Sequence, residues 1–275
     1  MKKTLRVGLV GLVAFLMLSG LCLGADKVLM MATTTSTDNT GLLDYLAPEF
    51  TKATGIDLRW TAVGTGKALK MGQNCDVDVL LVHAPPAEKK FIGSGFGTNR
   101  RELMYNDFVI IGPGSDSAGI KGGTINKAMQ SIKNKRALFV SRGDNSGTNK
   151  KEKLLWENAG IQLPDQEPWY IQTGQGMLST IRIAEQRNGY TMTDRGTYIK
   201  YSHNSGGKPA LKVLVAGDDT LLNQYSAIAI NTANCPNAKF ELANAFIDWM
   251  ASAEAQKMVN DFRLLGKQLF TPNAN

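Results

Sequence analysis

Along the chain, short apolar runs alternate with longer stretches whose apolar residues return every three or four positions. "KVLMMATT" (27–34) is a compact run of strand length. It leads into "TGLLDYLAPEFTKATG", where Leu42, Leu43, Leu46 and Phe50 share a helical face and Gly55 stands just past the end. "IDLRWTAVG" alternates and predicts a strand, and "GKALKMGQN" predicts a short helix. "VDVLLVHA" is apolar almost throughout, as in a strand covered on both faces, and proline then opens a helix over "PPAEKKFIGSG". The order βαβαβ implies a mostly parallel sheet flanked by helices.

The same alternation restarts further on. "NDFVIIGPGSD" predicts a strand running into a Gly-Pro-Gly turn, "TINKAMQSIKNK" a helix, "ALFVSR" a strand, and "TNKKEKLLWENAG" a helix ending at Gly160. "MLSTIRIAEQRNGYTMTD" predicts a helix with Ile181, Ile183 and Ala184 inward, then a strand at "YTMT". "ALKVLVAG" and "YSAIAIN" follow as strands. Phe240, Ala243, Phe246, Ile247 and Met250 then form one helical stripe, which reads as core. The chain is therefore α/β with two units. Apolar extended segments near 107–111 and 225–231 carry it out and back. This divides it into lobe one (26–109 and 226–275) and lobe two (110–225). A cleft between such lobes, outside the carboxyl ends of strands, is where an α/β protein places a ligand.

Composition narrows the setting. The 275 residues suffice for two lobes of ordinary size. The first 25 differ from the rest: a basic start, "MKKTLR", the apolar "VGLVGLVAFLML", and small residues before Gly24 and Ala25. This pattern predicts a signal peptide, and therefore a periplasmic location. Leu21 stands before Cys22 where a lipidation motif has Gly or Ala. Removing Lys2, Lys3 and Arg6 lowers the formal charge from +7 to +4. The remaining cations are scattered and not interleaved with aromatics, which argues against nucleic acid. Two cysteines remain, Cys75 and Cys235. In an oxidising compartment they are candidates for one disulfide, and neither has a neighbouring His that would suggest zinc.

Four turns rich in Gly, Ser and Thr stand where helices should begin. In "ATTTSTDNTG", Thr33, Thr34, Thr35 and Ser36 lie at a strand-to-helix turn, where unpaired amides and hydroxyls suit an anion. Helix capping alone would use only one such residue. "VGTGKAL" adds Thr65 between two glycines; it fails the P-loop pattern, with Ala68 where Ser or Thr is required. "SRGDNSGT" offers Arg142, a planar fork for oxyanion oxygens, with Ser146, Gly147 and Thr148 at the next helix start. The competing role for Arg142 is a salt bridge to Asp144. "TGQGMLSTIR" places the amides of Gly176 and Met177 at a fourth helix start. The expected ligand is a small oxyanion surrounded by neutral donors and one cation, with no metal or cofactor. A fully deprotonated anion needs donors only, whereas hydrogen phosphate also needs an acceptor. Asp144 and Asp194 keep the phosphate option open at this stage.

Six motifs, "ATTTSTDNTGLL", "VGTGKAL", "DVDVLLVHAPPAE", "NDFVIIGP", "SRGDNSGT" and "NGYTMTDRGTY", resemble the tungstate-binding component of Tup-type ABC importers, a branch of the periplasmic binding proteins. The resemblance runs over nearly all of the chain after the signal segment. It implies a two-lobed periplasmic-binding-protein fold (type II) that closes on the oxyanion and hands it to a membrane permease driven by an ATPase. It further implies a monomer, with Thr33–Ser36, Thr65, Arg142 and the Ser146–Thr148 turn as contacts. Arg142 is its most characteristic element, since related molybdate binders use neutral donors. Molybdate, sulfate and phosphate remain alternatives from the residues alone. An exported hydrolase finds little support: His83 precedes two prolines and reads as a satisfied hydrogen-bonding residue, and His203 reads as part of an exposed loop.

Overall fold

The structure, a computed structural model, describes residues 27–274. The expected signal peptide, 1–25, lies outside the described residues.

Lobe one begins with β1 (Val28–Thr34), α1 (Thr35–Asp38), α2 (Leu42–Thr54), β2 (Asp57–Val63), α3 (Thr65–Gln73), β3 (Val79–Val82) and α4 (Pro85–Gly93). β1 pairs in parallel with β2 on one side and β3 on the other. Next comes β4 (Gly97–Pro113), a single strand of 17 residues. Lobe two follows with α5 (Ile125–Asn134), β5 (Phe139–Ser141), α6 (Gly147–Asn158), β6 (Tyr170–Gln172), α7 (Met177–Gln186), β7 (Thr191–Asp194), α8 (Arg195–Asn204) and β8 (Leu211–Val215). A 3-10 turn at Asp219–Leu221 leads into β9 (Leu222–Ile230), which returns to lobe one. The chain closes with α9 (Phe240–Met250), α10 (Ala253–Asp261), β10 (Arg263–Leu264), β11 (Lys267–Gln268) and β12 (Thr271–Pro272).

β4 belongs to both lobes. From Gly97 to Asp107 it pairs antiparallel with β9, and from Phe108 to Pro113 antiparallel with β7 and β8. The lobe-one sheet runs β12-β4-β9-β3-β1-β2. Its β1–β3 segment is parallel, while β9 and β12 run against their neighbours. In lobe two, β5 and β6 pair in parallel, and a parallel bridge from Phe139 to Tyr190 ties β5 to the approach of β7. The changeover between lobes falls between Asp107 and Phe108 on the outward strand. On the return it falls at Leu222, the register partner of Asp107.

The inner strands are covered on both faces, which is why β1, β3 and the second half of β4 read as apolar runs. In β1, Leu29 and Met31 face one core, shared with α2 and α9, and Ala32 faces another. In β4, Phe108 and Ile110 face the core that holds Trp156, while Val109 and Ile111 face the one beneath α7. Cys75, after α3, is disulfide-bonded to Cys235, after β9, with Cα atoms 5.4 Å apart. The bond lies wholly within lobe one.

The sequence reading missed the first half of β4, β6, α8 and α10. "GTNRRELMY" carries the polar run Thr98–Glu102, which hides the strand pattern, and its register against β9 shifts twice. α8 contains Gly196 and lacks a clear apolar stripe. His203 therefore sits in the last turn of a helix, not in a loop.

Candidate functional site

The loop after β1 is organised by Thr34. It caps α1, and its Oγ1 accepts the Thr37 amide at 3.3 Å. The same oxygen lies 2.6 Å from Thr37 Oγ1, 3.1 Å from Ser36 Oγ and 2.9 Å from His83 Nε2. Thr35 and Ser36 occupy the first turn and line the inter-lobe cleft. The side chain of Thr33 is not brought to this cleft: its Oγ1 donates to the Leu81 carbonyl at 2.8 Å, inside the β1–β3 pairing.

The loop between β5 and α6 needs two left-handed residues, Gly143 (φ 63°) and Asn145 (φ 58°). A Cβ on Gly143 would lie 2.7 Å from Gln172 Cβ, so only glycine fits there. Beneath the loop is a buried carboxylate. Glu152 receives hydrogen bonds from Ser141 Oγ (2.5 Å), Tyr170 Oη (2.6 Å) and Trp156 Nε1 (3.1 Å). Burial pushes its carboxyl above the usual range, and these donors oppose that push. Ser141 Oγ in turn accepts from the Gly143 amide and from Asn149 Nδ2, each at 3.2 Å. The segment bearing Arg142 is thus tied to a fixed network.

Arg142 Nη2 bonds Asp144 Oδ2 at 2.5 Å, and Asp144 Oδ1 accepts the Ser146 amide at 3.1 Å. Burial would raise the Asp144 carboxyl, but Ser146 and Arg142 more than offset it and hold it below the usual range. The expected competing role of Arg142, a salt bridge to Asp144, is therefore real. It uses only one edge of the guanidinium. Arg142 Nε is buried and has no hydrogen-bond partner among the described residues. Ser146 caps α6 by accepting the Asn149 amide at 3.3 Å, which leaves Gly147 and Thr148 in the first turn with outward amides. α7 opens at Gly176 without a side-chain cap.

These pieces meet at the seam between the lobes. A cleft of ≈ 340 Å³ is lined from lobe one by Thr35, Ser36 and Asn39. Lobe two contributes Arg142, Gly176, Met177, Leu178 and Ser179, together with Thr197 and Lys200 from α8. Five predicted residues therefore share one cavity. A second seam joins Thr65 to Gly147: a Cβ on Gly147 would lie 3.0 Å from Thr65 Oγ1 and 3.2 Å from His83 Cε1. Thr65 Oγ1 is buried and, like Arg142 Nε, unpartnered. Buried polar atoms are rarely left so, because each costs about 1–3 kcal/mol. Gly147 and His83 also face a second inter-lobe groove of ≈ 560 Å³, beside Lys150 and Lys151. Burial pushes both lysine ammonium groups below their usual range.

Sequence reasoning missed Asn39, Ser179, Thr197 and Lys200, and it expected one cation where the cleft has two. Lys200 and Thr197 lie on the helix that was not foreseen. Asp194 caps α8, accepting the Thr197 amide at 2.9 Å and its hydroxyl at 2.7 Å, and it does not orient the neighbouring Arg195, which pairs with Asp107. His83 is satisfied by hydrogen bonds, as expected, but its partners belong to the site. Burial holds its imidazole below the ordinary value of 6.5. The Asn223 hydrogen bond and Asp194 pull it up, and Arg142 pushes it down.

Two α/β lobes joined by crossing strands, with helix starts from both converging on a cleft, define a solute-binding receptor. The chain belongs to the PBP superfamily, whose domain matches residues 24–254, and within it to the family of proteins named TupA. The tungstate-binding protein TupA of Campylobacter jejuni is 52% identical over 239 residues, covering 87% of this chain and 88% of that one. The solved structure of the tungstate-binding protein TupA from Desulfovibrio alaskensis G20 is 66% identical, with a TM-score of 0.84 over 90% of this chain and 99% of that one. That of the tungstate ABC transporter from Geobacter sulfurreducens is 45% identical, with a TM-score of 0.76 over 86% and 100%.

Proposed function

We propose that this protein is the periplasmic receptor of an ABC importer and captures tungstate in the cleft between its lobes. The observation that carries this reading is the composition of the cleft. Its lining is made of hydroxyls, helix-start residues and two cations, with no carboxylate among the described residues. Hydrogen phosphate would need an acceptor for its proton, and both nearby candidates are engaged: Asp144 with Arg142 and Ser146, Asp194 with Thr197. The lining therefore suits a fully deprotonated dianion such as tungstate, molybdate or sulfate. The names of the relatives favour tungstate within that class.

In this reading Thr35, Ser36, Gly176 and Met177 supply donors, with Arg142 as the directional cation and Lys200 as a second charge. Thr65 and Gly147 close the seam, Thr148 follows in the first turn of α6, and Thr34 and Ser146 hold two of the helix starts in place. The protein works as a monomeric carrier, delivers its load to a permease and ATPase, and performs no chemistry on it. Calorimetric titration of the mature chain with tungstate, molybdate, sulfate and phosphate tests the assignment. Tight tungstate binding with weak or absent phosphate binding is expected. Tight phosphate binding without a response to tungstate would overturn it.

A further inference from the structure

A chain of buried neutral polar groups leaves the cleft at Ser36 and ends on the strands that cross between the lobes. His83 stands in the middle. On the cleft side its Nε2 lies 2.9 Å from Thr34 Oγ1 and 3.1 Å from Ser36 Oγ. On the other side its Nδ1 lies 2.8 Å from Asn223 Oδ1. Asn223 Nδ2 donates to Asn106 Oδ1 at 2.7 Å and to Tyr225 Oη at 3.2 Å. Asn106 sits on β4 two residues before the part that pairs with lobe two, and Asn223 is the second residue of β9. The imidazole stacks on Tyr225 with ring centroids 4.7 Å apart, and Gly147 of lobe two is seated against its Cε1 edge.

The direction of hydrogen bonding follows from this arrangement. With both amide protons of Asn223 turned toward Asn106 and Tyr225, its oxygen is what faces His83. An amide oxygen only accepts, so Nδ1 carries the proton. A neutral imidazole has one N–H, so Nε2 presents a lone pair to the two hydroxyls. One of them must donate to it.

We propose that His83 is a positioning residue for oxyanion capture: neutral and protonated on Nδ1, it orients the Thr34 and Ser36 hydroxyls and fastens the loop after β1 to the strands that cross between the lobes. The proposal rests on the oxyanion reading above. A histidine serving only the core would have no reason to join a cleft-lining serine to both crossing strands, nor to sit so close to a glycine of the opposite lobe that a Cβ there would lie 3.2 Å from its ring. Burial of the ring acts in the same sense, disfavouring the imidazolium. The charged groups that bear on it, Asp194 and Arg142, act in opposite directions.

The primary test uses the wild-type chain labelled with ¹⁵N-histidine and long-range ¹H–¹⁵N correlation at pH 7, with and without sodium tungstate. Only His83 and His203 contribute signals, and a His203→Gln sample assigns them. Expected are a protonated Nδ1 and an unprotonated Nε2 for His83 in both states. An Nε2–H tautomer or an imidazolium in the tungstate complex would overturn the proposal. Calorimetry provides a second arm. His83→Phe keeps the stacking and removes both ring nitrogens, and the tungstate Kd should rise by about tenfold or more. His83→Gln, whose amide oxygen replaces Nε2, should recover most of that loss. Wild-type affinity in His83→Phe would sink the proposal. If that variant does not fold, the spectrum and His83→Gln decide. Failure of the wild type to bind tungstate would count against the functional reading instead, and the tautomer in the free protein would still be measured.

Discussion

At the scale of single residues, the site depends on which edge of a side chain is already engaged. Arg142 is held by Asp144 through Nη2 while Nε remains buried and unpartnered. Arg142→Ala removes a directional cation without touching either core. Its tungstate affinity should fall by about 1.5–3 kcal/mol, the scale of a charge-assisted hydrogen bond, with little change in melting temperature. Isothermal titration and thermal unfolding of the same sample check both halves; unchanged affinity would remove Arg142 from the site. His83 gives a pH prediction. Its folded value is depressed below 6.5, so below that pH the unfolded chain binds a proton the native one does not. Its contribution is therefore intact above 6.5 and declines on acidification toward the folded value, with a slope of at most about 1.4 kcal/mol per pH unit. Denaturant melts between pH 7.5 and 5 should show this decline, and His83→Gln should flatten it. The same scale explains why part of the site could not be read in advance. Thr33, Thr34, Thr35 and Ser36 look alike in the sequence, yet one bonds a strand carbonyl, one caps a helix and two line the cleft. Their division depends on partners dozens of positions away, Leu81 and His83.

At the scale of elements, the four helix starts were legible because each carries its own glycine or hydroxyl signature. α8 was not, because Gly196 and the lack of an apolar stripe leave no periodic signal, and Thr197 and Lys200 went unrecognised with it. The start of α6 supplies a direct test of the seam. Gly147→Ala places a methyl 3.0 Å from Thr65 Oγ1 and 3.2 Å from His83 Cε1, closer than real contacts readily allow. Thr65, His83 or the first turn of α6 must then give by a few tenths of an ångström. Tungstate affinity should drop by about tenfold, an overpacking cost of roughly 1–3 kcal/mol, while the isolated fold survives. Isothermal titration with tungstate checks this; unchanged affinity would refute the contact. The disulfide behaves differently. The even cysteine count of an exported chain suggested it, and the structure places it within lobe one, away from the cleft-lining residues. Replacing Cys75 and Cys235 by serine should cost about 2–5 kcal/mol of stability, seen in urea melts, and leave tungstate affinity at its wild-type value.

At the scale of the whole molecule, a ligand gripped by both lobes stabilises the assembly by mass action. Tungstate at about a hundred times its Kd adds roughly 2.7 kcal/mol, which for a chain of this size raises the melting temperature by on the order of 5–10 °C. Differential scanning fluorimetry should show that shift, and Arg142→Ala should show much less of it at the same concentration. The two-lobed plan was readable from the restarted alternation of strands and helices. The shared strand was not, since the polar run in its first half hides it. That strand has a consequence for dissecting the protein. Asp107 and Leu222 are register partners, so the inserted part leaves and rejoins at two points one strand-spacing apart. Excising 108–221 and bridging the gap with a tight hairpin would give a continuous chain that keeps every helix and every sheet partner of the remaining lobe. The excised piece, expressed alone from Phe108, would still own the end of β4 that its sheet requires. Each half could thus be studied as a free-standing fragment, and mixing the two would ask whether capture requires their tether or only their proximity.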